Sequence, residues 1–296
     1  MFNKEKSVKI IFDQKKCTKC GTCTKACTAE YLVFKDGEIT TNPNSFMGCI
    51  QCGRCMIKCP HNAIVVEGAG ISGNSLIEFE AKPTNYDSLY SLLLKRRSAR
   101  KFKDKEIPKE VIEKILAAAS TGAISIPPYE VKILVINGKD NVREFKEDLL
   151  KSFEKMIKIF SPIGLQILRP FIGKNNYKLF KEFVVPLFKK TIRKHKESRD
   201  ILFYDAPCIV IFYTTEICDK EDAIIAATLG STAAETLGLG TCIIGSVPPC
   251  INNNTKIKEK YGIAKTENVA TAFILGYPEI TFDKGIKRDF KEVKWF

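Results

Sequence analysis

Eight of the twelve cysteines fall in two runs of identical spacing, Cys17-x-x-Cys20-x-x-Cys23-x-x-x-Cys27 and Cys49-x-x-Cys52-x-x-Cys55-x-x-x-Cys59, the second followed by Pro60 and displaced from the first by 32 residues. Two-residue gaps turn successive sulfurs toward one side of a tight loop, so each run offers three thiolates at once and a fourth must arrive from elsewhere. A cubane iron–sulfur core takes four thiolates, and in two-cluster chains of this spacing the fourth comes from the opposite run. The predicted ligand sets are Cys17, Cys20, Cys23 with Cys59, and Cys49, Cys52, Cys55 with Cys27. Structural zinc prefers two CxxC pairs. A disulfide framework belongs to short secreted chains, and the opening Met1-Phe2-Asn3-Lys4-Glu5-Lys6 has no apolar h-region.

Along its whole length this stretch resembles a bacterial-type ferredoxin with two [4Fe–4S] clusters, including the Cys59-Pro60 ending. One departure is Thr28, where the first motif usually has proline; it removes no ligand. Short strands are expected at Val8–Asp13 and Ala63–Glu67, and a hairpin around Lys35-Asp36-Gly37. So little apolar material surrounds the cysteines that metal–sulfur bonds must stabilise the domain.

Other chemistry is sparse. Arg96, Arg97, Ser98 and Arg100 crowd five positions, and guanidinium and hydroxyl donors in that density suit an anion such as phosphate. A solvated basic turn is the equally ordinary reading. The two histidines, His61 and His195, sit in no nucleophilic or zinc motif and read as surface residues. No GxGxxG or GxxxxGK[ST] occurs, so a Rossmann nucleotide domain is unsupported. Cys208, Cys218, Cys242 and Cys250 are too widely spaced for a third cluster and read as buried structural thiols.

The elements that must position these residues follow from length and pattern. A chain of 296 residues, 45% hydrophobic, has room for one small and one medium domain. We read residues 1–70 as the two-cluster domain, 71–84 as a linker and 85–296 as the second domain. Its helices are expected at Asn85–Arg97 and Pro108–Ala119, with a strand over Lys132–Asn137. The longest apolar run, Ala223–Val247, is broken by Glu235 and glycines, a poor membrane span and a good buried core. A cytoplasmic location is expected from free thiolates and the missing signal. The net charge of +13 is unevenly spread: residues 139–199 carry 16 basic and 7 acidic side chains. Uniform basicity would point to nucleic acid, whereas a localised excess points to a docking face or a lid. Val142 to Phe160 forms one amphipathic helix in that segment and Tyr177 to Ile192 a second, kinked at Pro186.

A helix ending in Arg96-Arg97-Ser98-Ala99-Arg100-Lys101-Phe102, a second helix, a proline-containing loop and a strand resemble the start of the FMN-dependent nitroreductase family. Asp205-Ala206-Pro207 before the strand Cys208–Tyr213, the helix from Ala226 into Leu237-Gly238-Leu239-Gly240-Thr241-Cys242-Ile243-Ile244-Gly245, Leu275-Gly276-Tyr277-Pro278 and Lys287-Arg288 continue the likeness. The whole chain is thus similar to a ferredoxin–nitroreductase fusion. The resemblance implies an α+β fold, with a central, mostly antiparallel sheet flanked by helices in the second domain and residues 139–199 as a helical insertion over the flavin pocket. It implies FMN bound by Arg96, Arg97, Ser98, Arg100, Lys287 and Arg288, with backbone N–H groups of Ile244 and Gly245 at the flavin ring. Ser125 and Pro127 stand where the family often has Asn and Gln beside the pyrimidine edge. No side chain is assigned a catalytic role; FMN carries the chemistry.

The function implied is transfer of electrons from an external donor, a ferredoxin or NAD(P)H, through two clusters to FMN and on to a nitroaromatic, quinone or activated alkene, in a homodimer. The alternative is an electron carrier or redox sensor that docks an acidic protein through segment 139–199. Neither nucleic acid nor a membrane is expected as a partner.

Overall fold

The computed structural model describes residues 8–68, 70–125 and 129–296. They divide into two units, Met1–Pro83 with Ile124–Glu130, and Thr84–Ala123 with Val131–Phe296. Pro127, expected in a loop near the pyrimidine edge, lies outside the described residues.

The first unit is a twofold internal repeat. Strands β1 (Lys9–Phe12) and β4 (Ile64–Glu67) pair antiparallel, Lys9 opposite Glu67. Strands β2 (Leu32–Lys35) and β3 (Glu38–Thr41) form a hairpin closed by Asp36 and Gly37, both at positive φ, as a two-residue primed turn requires. Short helices α1 (Thr22–Ala26) and α2 (Arg54–Lys58) each follow a glycine in the left-handed region, Gly21 (φ 71°) and Gly53 (φ 67°). The repeat extends to backbone strain, because Lys19 and Gln51, and Glu30 and Asn62, share positive φ. These positive-φ turns bring the three CxxCxxC sulfurs of each run round to one side. The small core contains Cys23 and Cys55 themselves, with Leu32, Ile39, Met56, Ile64 and Val66. Ile71 and Leu76, in the stretch expected to be linker, pack against it.

The second unit is built on a four-stranded antiparallel sheet in the order β5 (Val131–Asn137), β6 (Cys208–Thr214), β8 (Asn268–Gly276), β7 (Gly240–Ile243). β6 has a side chain buried on each face at almost every position, which its unbroken run Cys-Ile-Val-Ile-Phe demands. Cys208, Val210 and Phe212 face helices α4 (Lys109–Ala119) and α8 (Lys220–Thr236), whereas Ile209 and Ile211 join the core of α5 (Lys139–Ile159), α9 (Val247–Asn252) and α10 (Thr255–Lys260). α3 (Tyr86–Lys95), capped by Asn85 accepting from the Ser88 N–H at 2.8 Å, buries no side chain.

The insertion contains more helix than the sequence pattern suggested. α5 buries Val142, Phe145, Leu149, Leu150 and Phe153, an ordinary core face. Beyond Ser161 the chain turns into α6 (Pro162–Leu179), which the pattern missed because Gly164, Pro170 and Gly173 each lower helix propensity. The kink expected at Pro186 appears just before it, as a π-helical turn at Phe180–Val184 leading into α7 (Val185–Lys196). Proline's ring pushes away the carbonyl four residues back, and a wider i→i+5 turn accommodates it.

Residues 96–103 run as a strap along the end of this sheet. Ser98 bridges Thr241 in parallel, the Ala99 N–H donates to the Thr241 carbonyl at 2.9 Å, Lys103 N–H to Tyr277 at 2.8 Å, and Glu279 N–H back to Lys101 at 3.0 Å. Close approach requires glycine below the strap: a Cβ on Gly276 would stand 2.6 Å from Phe102 Cδ1 and 3.0 Å from Pro207 Cδ. Gly276→Ala is therefore expected to cost about 1–3 kcal/mol. A melting temperature within experimental error of wild type would contradict this packing.

Candidate functional site

The cysteines sort into two cavities. Cys17, Cys20, Cys23 and Cys59 line one, with Phe12, Ile39 and Ile64. Cys27, Cys49, Cys52 and Cys55 line the other, with Ile10, Leu32 and Val66. Each cavity thus draws three sulfurs from one run and the last from the other, because α1 and α2 carry Cys27 and Cys59 across to the neighbouring loop. Among the described residues no group of three or more His, Cys, Asp or Glu side chains is gathered as a single-ion site would need.

Burial weighs against the thiolate form in both cavities. Burial pushes the Cys23 and Cys49 thiols up, and the Cys55 thiol to about 12. Thiolates there need strong positive charge beside them. Cys20 differs: it is exposed, and Thr22 Oγ1 lies 3.3 Å from its sulfur, holding its pKa below the ordinary value. The Ala63 N–H donates to Cys59 Sγ at 3.2 Å. His61 lines the first cavity but is exposed, and His195 meets Glu147 at 3.1 Å on the surface.

The strap organises the second set. Arg97 and Ala99 line a crevice with Glu235, Gly240 and Pro278. Arg97 and Ala99 share that side of the strap, as alternation along extended backbone allows. Lys95 takes Glu235 at 3.9 Å, and no carboxylate pairs with Arg96, Arg97 or Arg100 among the described residues. Arg100 lies 6.0 Å over the Tyr204 ring, a contact the sequence did not signal. Tyr204 and Asp205 both have φ 56°. Their turn is locked by Asp200, which accepts from the N–H groups of Leu202 and Phe203 and pairs with half-buried Lys146 at 3.0 Å.

Gly245 is exposed, and a Cβ there would meet nothing within 4 Å. Ile244 corrects an expectation: its N–H already donates to the Ala272 carbonyl at 2.9 Å, spent on the sheet rather than offered to a ring. Lys287 and Arg288 are exposed, and Lys287 pairs with Asp289 at 3.5 Å. The tail does return to α3, where a Cβ on Gly285 would lie 3.0 Å from Leu94 Cβ. Ser125 is exposed at the margin of the described loop.

A profile of the nitroreductase family matches residues 93–277, more than half of the chain. The chain belongs to the nitroreductase family. A 4Fe–4S dicluster domain matches residues 16–64, so this nitroreductase-family chain carries an iron–sulfur ferredoxin domain at its N-terminal side and is an oxidoreductase. No curated protein matches it. Among solved structures, the second unit is similar to a nitroreductase from Bacteroides fragilis determined with bound FMN, at 17% identity and TM-score 0.54, covering 72% of this chain and 100% of the other. One from Desulfitobacterium hafniense, also with bound FMN, aligns at 15% identity and TM-score 0.52, covering 70% and 97%. These likenesses show the α+β fold. No helix among the described residues is long and apolar enough to cross a membrane.

The four remaining cysteines of this family member are all buried, as their isolation in sequence suggested. Burial pushes Cys208 and Cys250 to about 12 from the ordinary 9.0. Because the folded values are raised, this contribution to stability is present below about pH 9 and lost as pH climbs toward 12. Melting temperature is expected to fall through that alkaline window, and less steeply in Cys208→Ala. Rapid alkylation of Cys208 or Cys250 in the native protein would contradict their burial.

Proposed function

We propose that this chain is an FMN-dependent oxidoreductase that takes electrons singly from an external donor, such as a reduced ferredoxin, through two [4Fe–4S] clusters to a small acceptor of the nitroaromatic, quinone or activated-alkene class. The observation that carries the reading is the sorting of eight cysteines into two four-thiol cavities in a chain whose other unit has the nitroreductase fold. Two relatives of that fold hold FMN, which supports the same cofactor here. When bound, clusters and flavin would convert one-electron supply into two-electron delivery.

Cys17, Cys20, Cys23 and Cys59 would hold one cluster, and Cys27, Cys49, Cys52 and Cys55 the other. The Thr22 hydroxyl and the Ala63 N–H would then donate to sulfur and ease its negative charge. Arg96, Ser98 and Arg100, unopposed by carboxylates among the described residues, fit a phosphate, and Tyr204 backs Arg100 through a cation–π contact. Gly245, exposed with open space beside its α-carbon, leaves room for a flat ring to approach, and Lys287 and Arg288 follow the tail that returns to α3. Arg97 and Ser125 are lesser contributors, in the crevice with Glu235 and at the loop margin.

A homodimer is supported by apolar surface that this chain leaves open: Tyr86, Leu89, Tyr90 and Leu93 on α3, and Ile224, Ile225 and Leu229 on α8.

Protein purified anaerobically is expected to contain about eight iron atoms per chain and one flavin, and to reduce a nitroaromatic or quinone when supplied with reduced ferredoxin. Stoichiometric zinc with no sulfide, or reduction of the protein with no turnover of any acceptor, would reject the reading. Arg96→Ala is expected to weaken flavin retention by about tenfold or more, the loss of a charge-assisted contact, while iron content stays at the wild-type level. Treatment with an iron chelator should unfold the first unit, seen as lost protease resistance of residues 8–68, and leave the flavin bound.

A further inference from the structure

Residues 160–187 form a helical hairpin that the activity above does not use. α6 is interrupted at Gly173 (φ 75°, ψ 166°), where a Cβ would meet nothing within 4 Å, so the chain reverses there. Phe160 stacks on Phe180 at 4.3 Å and Arg169 lies 5.4 Å over the Tyr177 ring, contacts that join positions on opposite sides of the bend.

The hairpin is apolar on the outside. Ile163, Ile167 and Phe171 follow one another at i, i+4 and i+8 on the first arm, 75%, 65% and 84% exposed. Leu179, Phe183 and Leu187 repeat that spacing on the return and are also exposed. Leu165 is the one side chain of α6 that is buried. α5 has a comparable apolar pattern, yet its face is sunk in the core. Two rows of large aliphatic and aromatic side chains at helical spacing, left open, mark an interaction surface.

The charge around the rows selects the occupant. Residues 155–196 hold eleven lysines and arginines and a single carboxylate, Glu182. Glu182 pairs with Lys178 at 3.9 Å. Lys155, Lys158, Arg169, Lys174, Lys181 and Lys189 have no carboxylate at ion-pair distance among the described residues. A second copy of this chain would set like charge against like charge. An acidic protein would answer the lysines but leave both apolar rows with nothing to enter. An anionic lipid surface satisfies both, since acyl chains receive the apolar rows while lysine stems reach the headgroup plane.

We propose that the 160–187 hairpin docks the protein on an anionic phospholipid bilayer, lying in the interface with Ile163, Ile167, Phe171 and Phe183 entering the acyl boundary and the surrounding lysines contacting headgroups. This revises the expectation that a membrane is no partner. It is a surface attachment and requires no spanning helix. The inference rests on the hairpin alone and is independent of which acceptor the protein reduces.

The test is flotation of the intact holoprotein with phosphatidylcholine vesicles, with and without phosphatidylglycerol, at low and high salt. Binding is expected to be at least about tenfold tighter with phosphatidylglycerol and to weaken as salt rises. The triple substitution Ile163→Ser, Ile167→Ser, Phe171→Ser should reduce binding by about tenfold or more, with iron content, flavin content and turnover in detergent-free buffer unchanged. Lys174→Gln with Lys181→Gln should weaken binding chiefly at low salt. Equal or undetectable binding to both vesicle types overturns the proposal. So does a triple variant that binds vesicles normally. Absence of vesicle binding together with a smaller sedimentation coefficient in the triple variant would make the rows a contact between copies. Absence of vesicle binding with a salt-sensitive complex with an acidic ferredoxin would make the hairpin a protein dock.

Discussion

Four thiols converging on one small cavity impose a constraint that governs the whole first unit. Sulfur buried in that way is either neutral and idle or ionised and in need of compensating positive charge. The burial that lifts Cys55 to about 12 is the burial that makes the small core, since Cys23 and Cys55 are themselves core residues. Cysteine set and hydrophobic core are one structure. Two hairpin-sized ladders and two single-turn helices leave no other source of stability on the scale a domain needs. The repeated positive-φ positions, 32 residues apart, are the backbone cost of turning each run tightly enough.

The second unit meets a different constraint, the open edge of β7. An unpaired edge exposes backbone donors and acceptors, and the strap answers it with the Ser98–Thr241 bridge and the Ala99 hydrogen bond. The same bonds decide which way the strap's side chains point. Ala99 is seated over Gly240 and Arg97 lines the same crevice, while Arg100 lies over Tyr204. Edge protection and the placement of the strap's side chains are therefore one set of contacts. The Asp200-locked turn that sets Tyr204 beneath Arg100 supports that arrangement from a distant part of the chain.

Much of this was legible in the sequence because the chemistry is local. Cysteine spacing sufficed to anticipate the two crossed cavities, since three cysteines lie in one loop and the fourth a few residues beyond a helix turn. The hairpin at Lys35-Asp36-Gly37 was an equally short-range signal. What escaped was decided at long range. Nothing near Ile244 announces that its N–H belongs to Ala272, and nothing in the five-residue arginine cluster tells which guanidinium faces which side until Thr241 is placed beside Ser98. Tyr204 was invisible because its role depends on a left-handed turn held by Asp200. α6 was missed for the opposite reason: its glycines and proline argue locally against helix, while stacking of Phe160 on Phe180 holds the hairpin despite them.

Amphipathic patterning by itself does not say what an apolar face meets. α5 and α6 are adjacent in sequence, both carry large apolar residues at helical spacing and both lie in the basic segment. α5 buries its stripe because the sheet beside it offers Ile209, Ile211 and Ala272 as a complementary surface. α6 has no sheet to lie on, and among the described residues Arg169 and Lys174 find no carboxylate, Lys178 alone reaching Glu182. The charge that a uniform reading would spread over the molecule is thus concentrated where the apolar surface is also unsatisfied. Either feature alone is ordinary on a soluble protein, since scattered exposed aliphatics and solvated lysines cost little. Their coincidence over one hairpin is what calls for a partner with both an apolar interior and a negative surface.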